Sequence, residues 1–293
     1  MSRIVLALAL LLAPSVALAD DGADVGKAFT SFVDGVARGQ PGATTGVDLF
    51  ITPGDGDVED GFVQPVTADL AETRGMIAGG KLKVNKVVVS KSARSAWIAG
   101  EVPGAVKRKG KVKKEPVRVS AFLFKDDKGW HVQATHWSTG EPDRKTDMCG
   151  DLEEWRLEPR IAPAAKETVK AVFGALEGDA LMEGGVTTGG FAALLSADKN
   201  AYVIGSAPKE TFVGGAKIKS VFKKWKISAY SPEDDAYLAR ATVGPDGEMM
   251  WVALSVIAPP QLCTSYRTLF VLAREAAGWR IVHQHYSSAT NPF

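Results

Sequence analysis

The chain has 293 residues, with 35 Lys and Arg against 34 Asp and Glu, and a formal net charge of +1. That balance argues against nucleic-acid binding, because neutralising a phosphate backbone leaves a basic footprint over a whole domain. Beyond the N-terminus no apolar run escapes charge for the roughly 20 residues a membrane helix needs, so no membrane span is expected.

In chain order, the first residues have the pattern of a secretory leader: Arg3 as a positive start, an apolar stretch from Ile4 to Ala13, and the small-residue site Ala17-Leu18-Ala19. Cleavage there starts the mature chain at Asp20 with a formal charge of 0, once Arg3 is lost from the total of +1. Export to a periplasm or beyond is the expected destination. No cysteine stands at the new start, which argues against a lipoprotein anchor. Cys149 and Cys263 are an even pair in an oxidising compartment and a disulfide candidate, while their spacing excludes a CxxC redox or zinc motif.

Val25, Phe29, Phe32, Val33 and Val36 form the stripe of an amphipathic helix, and Ala165, Val169, Val172, Phe173 and Leu176 repeat it behind Pro163. After each helix comes a Gly-, Asp- and Thr-rich stretch and a short apolar cluster, Val47 to Phe50 and Phe191 to Leu195, read as short helices and loops. Asp55, Asp57, Glu59 and Asp60 lie among glycines but lack the ligand order and closing Glu of a calcium loop, so no metal is expected there. Strand patterns follow at Lys81 to Val89, Ala96 to Val102 and Val117 to Phe124, then, after Ser196 to Gly205 read as a loop into a short strand, at Ala236 to Val243, Met250 to Val256 and Tyr266 to Ala273. The basic run Lys107, Arg108, Lys109, Lys111, Lys113 and Lys114 reads as a solvated connection between two strands, with contact to an anionic surface as the alternative.

Two segments, Gly129-Trp130-His131-Val132-Gln133-Ala134-Thr135-His136-Trp137-Ser138 and Gly278-Trp279-Arg280-Ile281-Val282-His283-Gln284-His285-Tyr286-Ser287, match without a gap at an offset of 149 residues. They contain all four histidines of the chain. The repeat divides the chain into a leader (1–19), a first domain (20–140), a proline-flanked linker (141–163) and a second domain (164–293), each domain roughly 120 to 130 residues.

A unit that opens with a helix and ends in a hairpin whose last strand reads Gly-Trp-x-[apolar]-x-x-x-His-[aromatic]-Ser resembles the SnoaL-like branch of the NTF2-like, ketosteroid-isomerase-like superfamily. The second copy is the closer match, through Ser196 to Glu210, Trp251 and Trp279 to Ser287; the first keeps its helix, Trp97 and the terminal hairpin. The resemblance implies an α+β fold of two cone-shaped domains, each a curved antiparallel sheet wrapped around helices. The family hosts isomerases, cyclases and dehydratases beside members that only bind, so fold alone does not assign activity. The aspartate base and the tyrosine and acid pair of the isomerases have no counterpart that can be placed on this sequence.

Plain strand alternation puts Trp279, Ile281, His283, His285 and Ser287 on one face, and Trp130, Val132, Ala134, His136 and Ser138 on the equivalent one. The candidate ligand-binding residues are therefore His285, His283, Ser287, Trp279, Trp251, His136, Ser138, Trp130 and Trp97. His285 is the candidate general base if there is catalysis. The competing reading makes the histidines structural and the tryptophans core. His283 and His285 have a His-x-His spacing but no third ligand, so neither a metal nor another cofactor is expected. The function expected is non-catalytic binding of a small apolar or amphipathic molecule or a protein partner. The alternatives are an isomerase, dehydratase or cyclase, or a purely structural module. The two copies are expected to pack sheet to sheet as an intrachain pseudo-dimer.

Overall fold

The computed structural model describes residues 21–40, 49–51, 74, 77, 81–108, 111–140, 160–161, 165, 193–222, 240–257 and 265–289. Residues 21–38 form the first helix, α1. Its stripe is buried as the spacing predicts, with Val25, Phe29, Val33 and Val36 essentially inaccessible. Gly39, at φ 66°, ends it. Only a residue tolerant of the left-handed region lets the Gly39 and Gln40 amides fold back onto the Val36 and Gly35 carbonyls, each at 3.0 Å.

Five strands follow: β1 (Leu49–Ile51), β2 (Lys83–Val89), β3 (Ser95–Arg108), β4 (Lys111–Asp126) and β5 (Gly129–Thr139). They form one sheet in the order β1-β5-β4-β3-β2. The second sheet contains β6 (Arg160–Ile161), β7 (Tyr202–Ile204), β8 (Thr211–Val213), β9 (Arg240–Val243), β10 (Met249–Ile257), β11 (Ser265–Glu275) and β12 (Gly278–Ala289), with the short helix α2 (Gly215–Phe222) after β8. Its order is β6-β9-β10-β11-β12-β7-β8. In both sheets the histidine strand lies between an antiparallel neighbour and a short parallel one. Leu49 and Ile51 sit beside Ala134 and His136, as Tyr202 and Ile204 sit beside His283 and His285.

The 149-residue offset extends into the pairing. Trp97 lies opposite Phe122 and Trp251 opposite Val271, the residue 149 places on. Register slips between Phe122 and Leu123 in one sheet and between Val271 and Leu272 in the other, again 149 apart. Each slip leaves one unopposed residue in the histidine strand, Gln133 or Val282, because Leu123 pairs Val132 while Phe122 pairs Ala134, and Leu272 pairs Ile281 while Val271 pairs His283.

That bulge corrects the reading of faces from plain alternation. An extra residue shifts the in-and-out phase of everything beyond it. Trp130 and Val132 therefore pack in the core under α1, whereas Ala134 turns to the opposite side of the sheet. In β12, Trp279 and Ile281 face the core beside α2, whereas Val282 packs on the far side, where His283 follows it. The two tryptophans of the repeat are thus not on the histidine face.

Three apolar cores result. One joins α1 to the first sheet through Phe29, Val33, Ile98, Val119 and Trp137. A second joins α2 to the other sheet through Ile218, Phe222, Val252, Phe270 and Ile281. The third lies between the sheets and draws Trp97, Phe122 and Ala134 from one and Tyr202, Trp251, Leu269 and Val271 from the other.

Three further differences from the sequence reading concern local elements. Leu49–Ile51, within and just after the apolar cluster read as helix and loop, is a strand; three residues are too few to show a period. The basic run is not a loop: β3 continues to Arg108 and β4 begins at Lys111, so strand pairing runs through it. Arg160–Ile161, inside the stretch read as linker, pairs with β9. The helix stripe after Ala165, the acidic stretch from Asp55 to Asp60, Cys149 and Cys263 lie outside the described residues.

Candidate functional site

His136, Ser138, His283 and His285 are inaccessible and Ser287 is nearly so, at 5% exposure. They do not line an open mouth, because the other sheet covers them. The rings of His136 and His285 stack with centroids 4.0 Å apart and planes within 9°. His136 Nε2 lies 2.8 Å from Ser287 Oγ, and His285 Nε2 lies 2.7 Å from Ser138 Oγ. Each histidine thus reaches the serine two residues beyond the other histidine, a reciprocal arrangement centred on the stacked rings.

On one side this pair extends into a directed chain. Arg118, on β4, is 5% exposed, and its guanidinium has no capacity to accept. Its Nε donates to Ser138 Oγ at 3.1 Å. Ser138 then donates its hydroxyl proton to His285 Nε2. With Nε2 accepting, the network assigns the proton of neutral His285 to Nδ1, which donates to Ser120 Oγ at 3.0 Å. Ser120 donates to His283 Nε2 at 2.8 Å, and His283 Nδ1 donates to the Tyr202 carbonyl at 2.9 Å. An obligate donor at one end and an obligate acceptor at the other give every link the same direction.

The electrostatics agree with neutral rings. Burial holds His283 down to about 3, against a weaker opposing pull from the hydrogen bond to Tyr202. Burial also pushes His285 well below its ordinary range, helped by the neighbouring His136, Arg118 and His283. Arg118 is lowered to about 10, first by burial and against the attraction of Glu210 and Glu101, so it stays charged at neutral pH. Its remaining partners are neutral carbonyls: NH1 donates to Ala207 O at 3.1 Å, and NH2 to Ser206 O at 3.1 Å and Thr139 O at 3.3 Å. Two of these belong to the turn after β7, so Arg118 ties both sheets.

Trp97 and Trp251 are fully buried between the sheets, and Trp97 stacks on His283 at 4.5 Å and 10°. Trp130 lies under the Lys125 ammonium, 5.5 Å from its ring, on the α1 side. Trp279 packs on the α2 side, where Tyr286 donates to Gln284 Oε1 at 2.6 Å. Among the described residues no group of three or more His, Cys, Asp or Glu is placed to hold a metal ion.

Beside the network, the two sheets leave a cleft of about 510 Å³. Val88, Trp97, Met249 and Val282 supply apolar walls, and Lys91 and Arg274 stand among its polar lining. Near it the turn between β9 and β10 meets the turn between β2 and β3. Asp246 accepts hydrogen bonds from Ser90, Ser92 and Ser95 at 2.6, 2.7 and 2.8 Å. Partial burial pulls the Asp246 carboxyl upward, but these serines and the Glu248 amide outweigh it and hold the group below its ordinary value.

The sequence reading missed Arg118, Ser120, Tyr202 and Asp246. Arg118 was findable, since Arg267 stands 149 residues on and each arginine pairs in register with the serine of its own histidine strand. Ser120 was not, because the offset matches it to Leu269.

A family profile described as SnoaL-like domain matches residues 187–291. No curated protein matches the chain. Among solved structures the chain is similar to a ketosteroid isomerase-like protein from Erwinia carotovora atroseptica SCRI1043, at 20% identity over 42% of this chain and 98% of that one, with a TM-score of 0.30. It is similar also to an NTF2-like protein of unknown function from Pseudomonas putida KT2440, at 16% identity over 33% and 70%, with a TM-score of 0.26. A third is a protein with a cystatin-like fold from Caulobacter vibrioides, at 14% identity over 43% and 88%, with a TM-score of 0.29. Residues 187–291 are thus the part of the chain that is similar to a SnoaL-like domain.

Proposed function

We propose that this is an exported, non-catalytic binding protein: two SnoaL-like units in tandem, packed sheet to sheet as an intrachain pseudo-dimer, that hold a small amphipathic molecule in the cleft where they meet. The observation that carries this reading is the reciprocal pairing of His136 with Ser287 and of His285 with Ser138 between stacked, inaccessible rings. A general base needs a free nitrogen within reach of a substrate. Both ring nitrogens of His285 are already committed, so its role here is to join the units. Binding is then assigned to the cleft, whose volume falls in the range of small-molecule sites and whose apolar walls, beside charged groups of both signs, suit an amphipathic ligand. The leader pattern of residues 1–19 supports export.

The test uses N-phenyl-1-naphthylamine, an uncharged aromatic probe suited to the apolar walls, because the lining carries Asp198, Glu248 and Glu275 against Lys91 and Arg274. The mature protein should bind one equivalent saturably, and Ala273→Trp, which fills the cleft, should abolish binding with the melting temperature retained. His285→Ala should lower the melting temperature and leave the affinity of the surviving folded protein unchanged. Absence of saturable binding, or equal binding by Ala273→Trp, removes the ligand and leaves a structural module.

A further inference from the structure

The hairpin of β3 and β4 outruns its sheet. β5 accompanies β4 only as far as Val117, opposite Thr139, and β2 accompanies β3 only as far as Glu101, opposite Lys83. Beyond them β3 and β4 pair with each other out to Arg108 and Lys111. Among the described residues the other backbone contact on this extension is Ile77, bridging Gly104 at its base. The six residues Lys111 to Pro116 project about 20 Å at the rise of an extended strand. Among the described residues the other sheet shows no such arm, since β12 follows β11 along its whole length from Ser265 to Glu275.

The arm has a distinct chemistry. Lys107, Arg108, Lys111, Lys113 and Lys114 fall in its paired strands, and no acidic residue occurs between Ala105 and Lys114. Lys111, Lys113 and Lys114 are exposed. Val112 stands among them at 71% exposure, the highest of the large exposed apolar side chains described. The carboxylates of Glu101 and Glu115 lie at the base, in a cleft also lined by Lys81 and Lys83. A lone two-stranded ribbon has little stability of its own in water, so an arm of this length gains from a surface to lie on.

We infer that the β3–β4 arm docks the protein on an anionic phospholipid surface. The chain as a whole is nearly neutral at +1, so this local run of five cations stands without the basic footprint over a whole domain that a nucleic-acid duplex would require. An exposed valine between lysines matches the boundary between headgroups and acyl chains. The apolar group enters, the stem of Lys114 on the same face of the ribbon lies along it, and the ammonium groups of both faces stay at the phosphates.

The experiment is co-sedimentation of the full mature chain with vesicles of phosphatidylcholine, with and without one-third phosphatidylglycerol. The protein should sediment with the anionic vesicles, stay in solution with the neutral ones, and be released by salt. Each lysine near the surface is worth about fivefold in partition, so Lys111→Gln/Lys113→Gln/Lys114→Gln should bind about a hundredfold more weakly. Its thermal unfolding should be unchanged, because these side chains touch none of the three cores. Val112→Asp should weaken binding to the anionic vesicles, and Val112→Leu should retain it. Equal sedimentation with both vesicle types, no sedimentation with either, full binding by the triple variant, or retention on duplex DNA in place of the vesicles would each overturn the inference.

Discussion

His285 donates from Nδ1 to Ser120 of the opposite sheet while its Nε2 accepts from Ser138 of that same sheet, so one ring is held at both edges by the surface it faces. A neutral imidazole satisfies this pattern and an imidazolium does not, since protonation would set two donors against Ser138.

Acid should therefore separate or unfold the sheets. The folded-state values of His283 and His285 are lowered, so below about pH 6.5 the unfolded chain takes up protons that the folded chain refuses. Stability is complete above that pH and falls as pH drops, for His283 down to about 3. At about 1.4 kcal/mol per unit, His283 alone costs roughly 2 kcal/mol by pH 5, and His285 adds to the loss in the same direction. Urea midpoints measured across this range should fall steeply. A flat profile between pH 7 and 5 would contradict the buried neutral pair.

The direction of the chain is open to spectroscopy. Nitrogen-15 imidazole spectra at neutral pH should show His283 and His285 as Nδ1–H tautomers, the form less common for free histidine. Nε2–H signals from either ring would reverse the assigned direction, and for His283 would leave the Tyr202 carbonyl without its donor.

Truncation should show coupling. His285→Ala leaves Ser120 and Ser138 without their buried partner, at about 1 to 3 kcal/mol each. Ser138→Ala in that background should cost less than it does alone, and a double-mutant cycle should give a coupling of about 1 kcal/mol or more. Additive losses would place the two side chains out of contact.

Arg118 holds four acceptors on two sheets. Arg118→Ala should cost roughly 3 kcal/mol or more, and Arg118→Lys should recover little of it, because one ammonium has three donors and cannot span the fork of a guanidinium. Full recovery by lysine in a thermal melt would reduce the role of Arg118 to its charge.

Gly244 fixes the approach of the two turns. A Cβ at this position would collide with the Ser95 hydroxyl that donates to Asp246. Gly244→Ala should lower the melting temperature, and adding Ser95→Ala should restore part of the loss by removing the colliding atom. If Gly244→Ala alone is neutral, the turns are not packed as closely as described.

Much of this was legible in the sequence because it is periodic or repeated. The stripe from Val25 to Val36 placed α1, and the 149-residue match identified the two strands that meet. The match also singled out His136, Ser138, His285 and Ser287, which the structure brings together. What the residues could not disclose was their phase. A single unopposed residue, Gln133 or Val282, moves the following histidines to the other side of the sheet, and a bulge leaves no mark in a hydropathy pattern. Ser120 was hidden for a different reason: it is one of many serines, and its importance comes only from lying between two rings that belong to another sheet.

The asymmetry at Ser120 decides which halves recognise one another. At the positions related by the offset, the first half presents Ser120 and Ala134 where the second presents Leu269 and His283, all four buried. Joining two second halves would set His283 against Leu269 and strand an imidazole nitrogen twice over; joining two first halves would put Ala134 where His283 accepts and leave the Ser120 hydroxyl proton without that acceptor. Each mismatch carries the cost of a buried polar group without a partner. The first half is therefore selective for the second and rejects itself. If two chains ever exchange halves, the exchange must preserve this pairing and produce a reciprocal swap rather than a dimer of like halves.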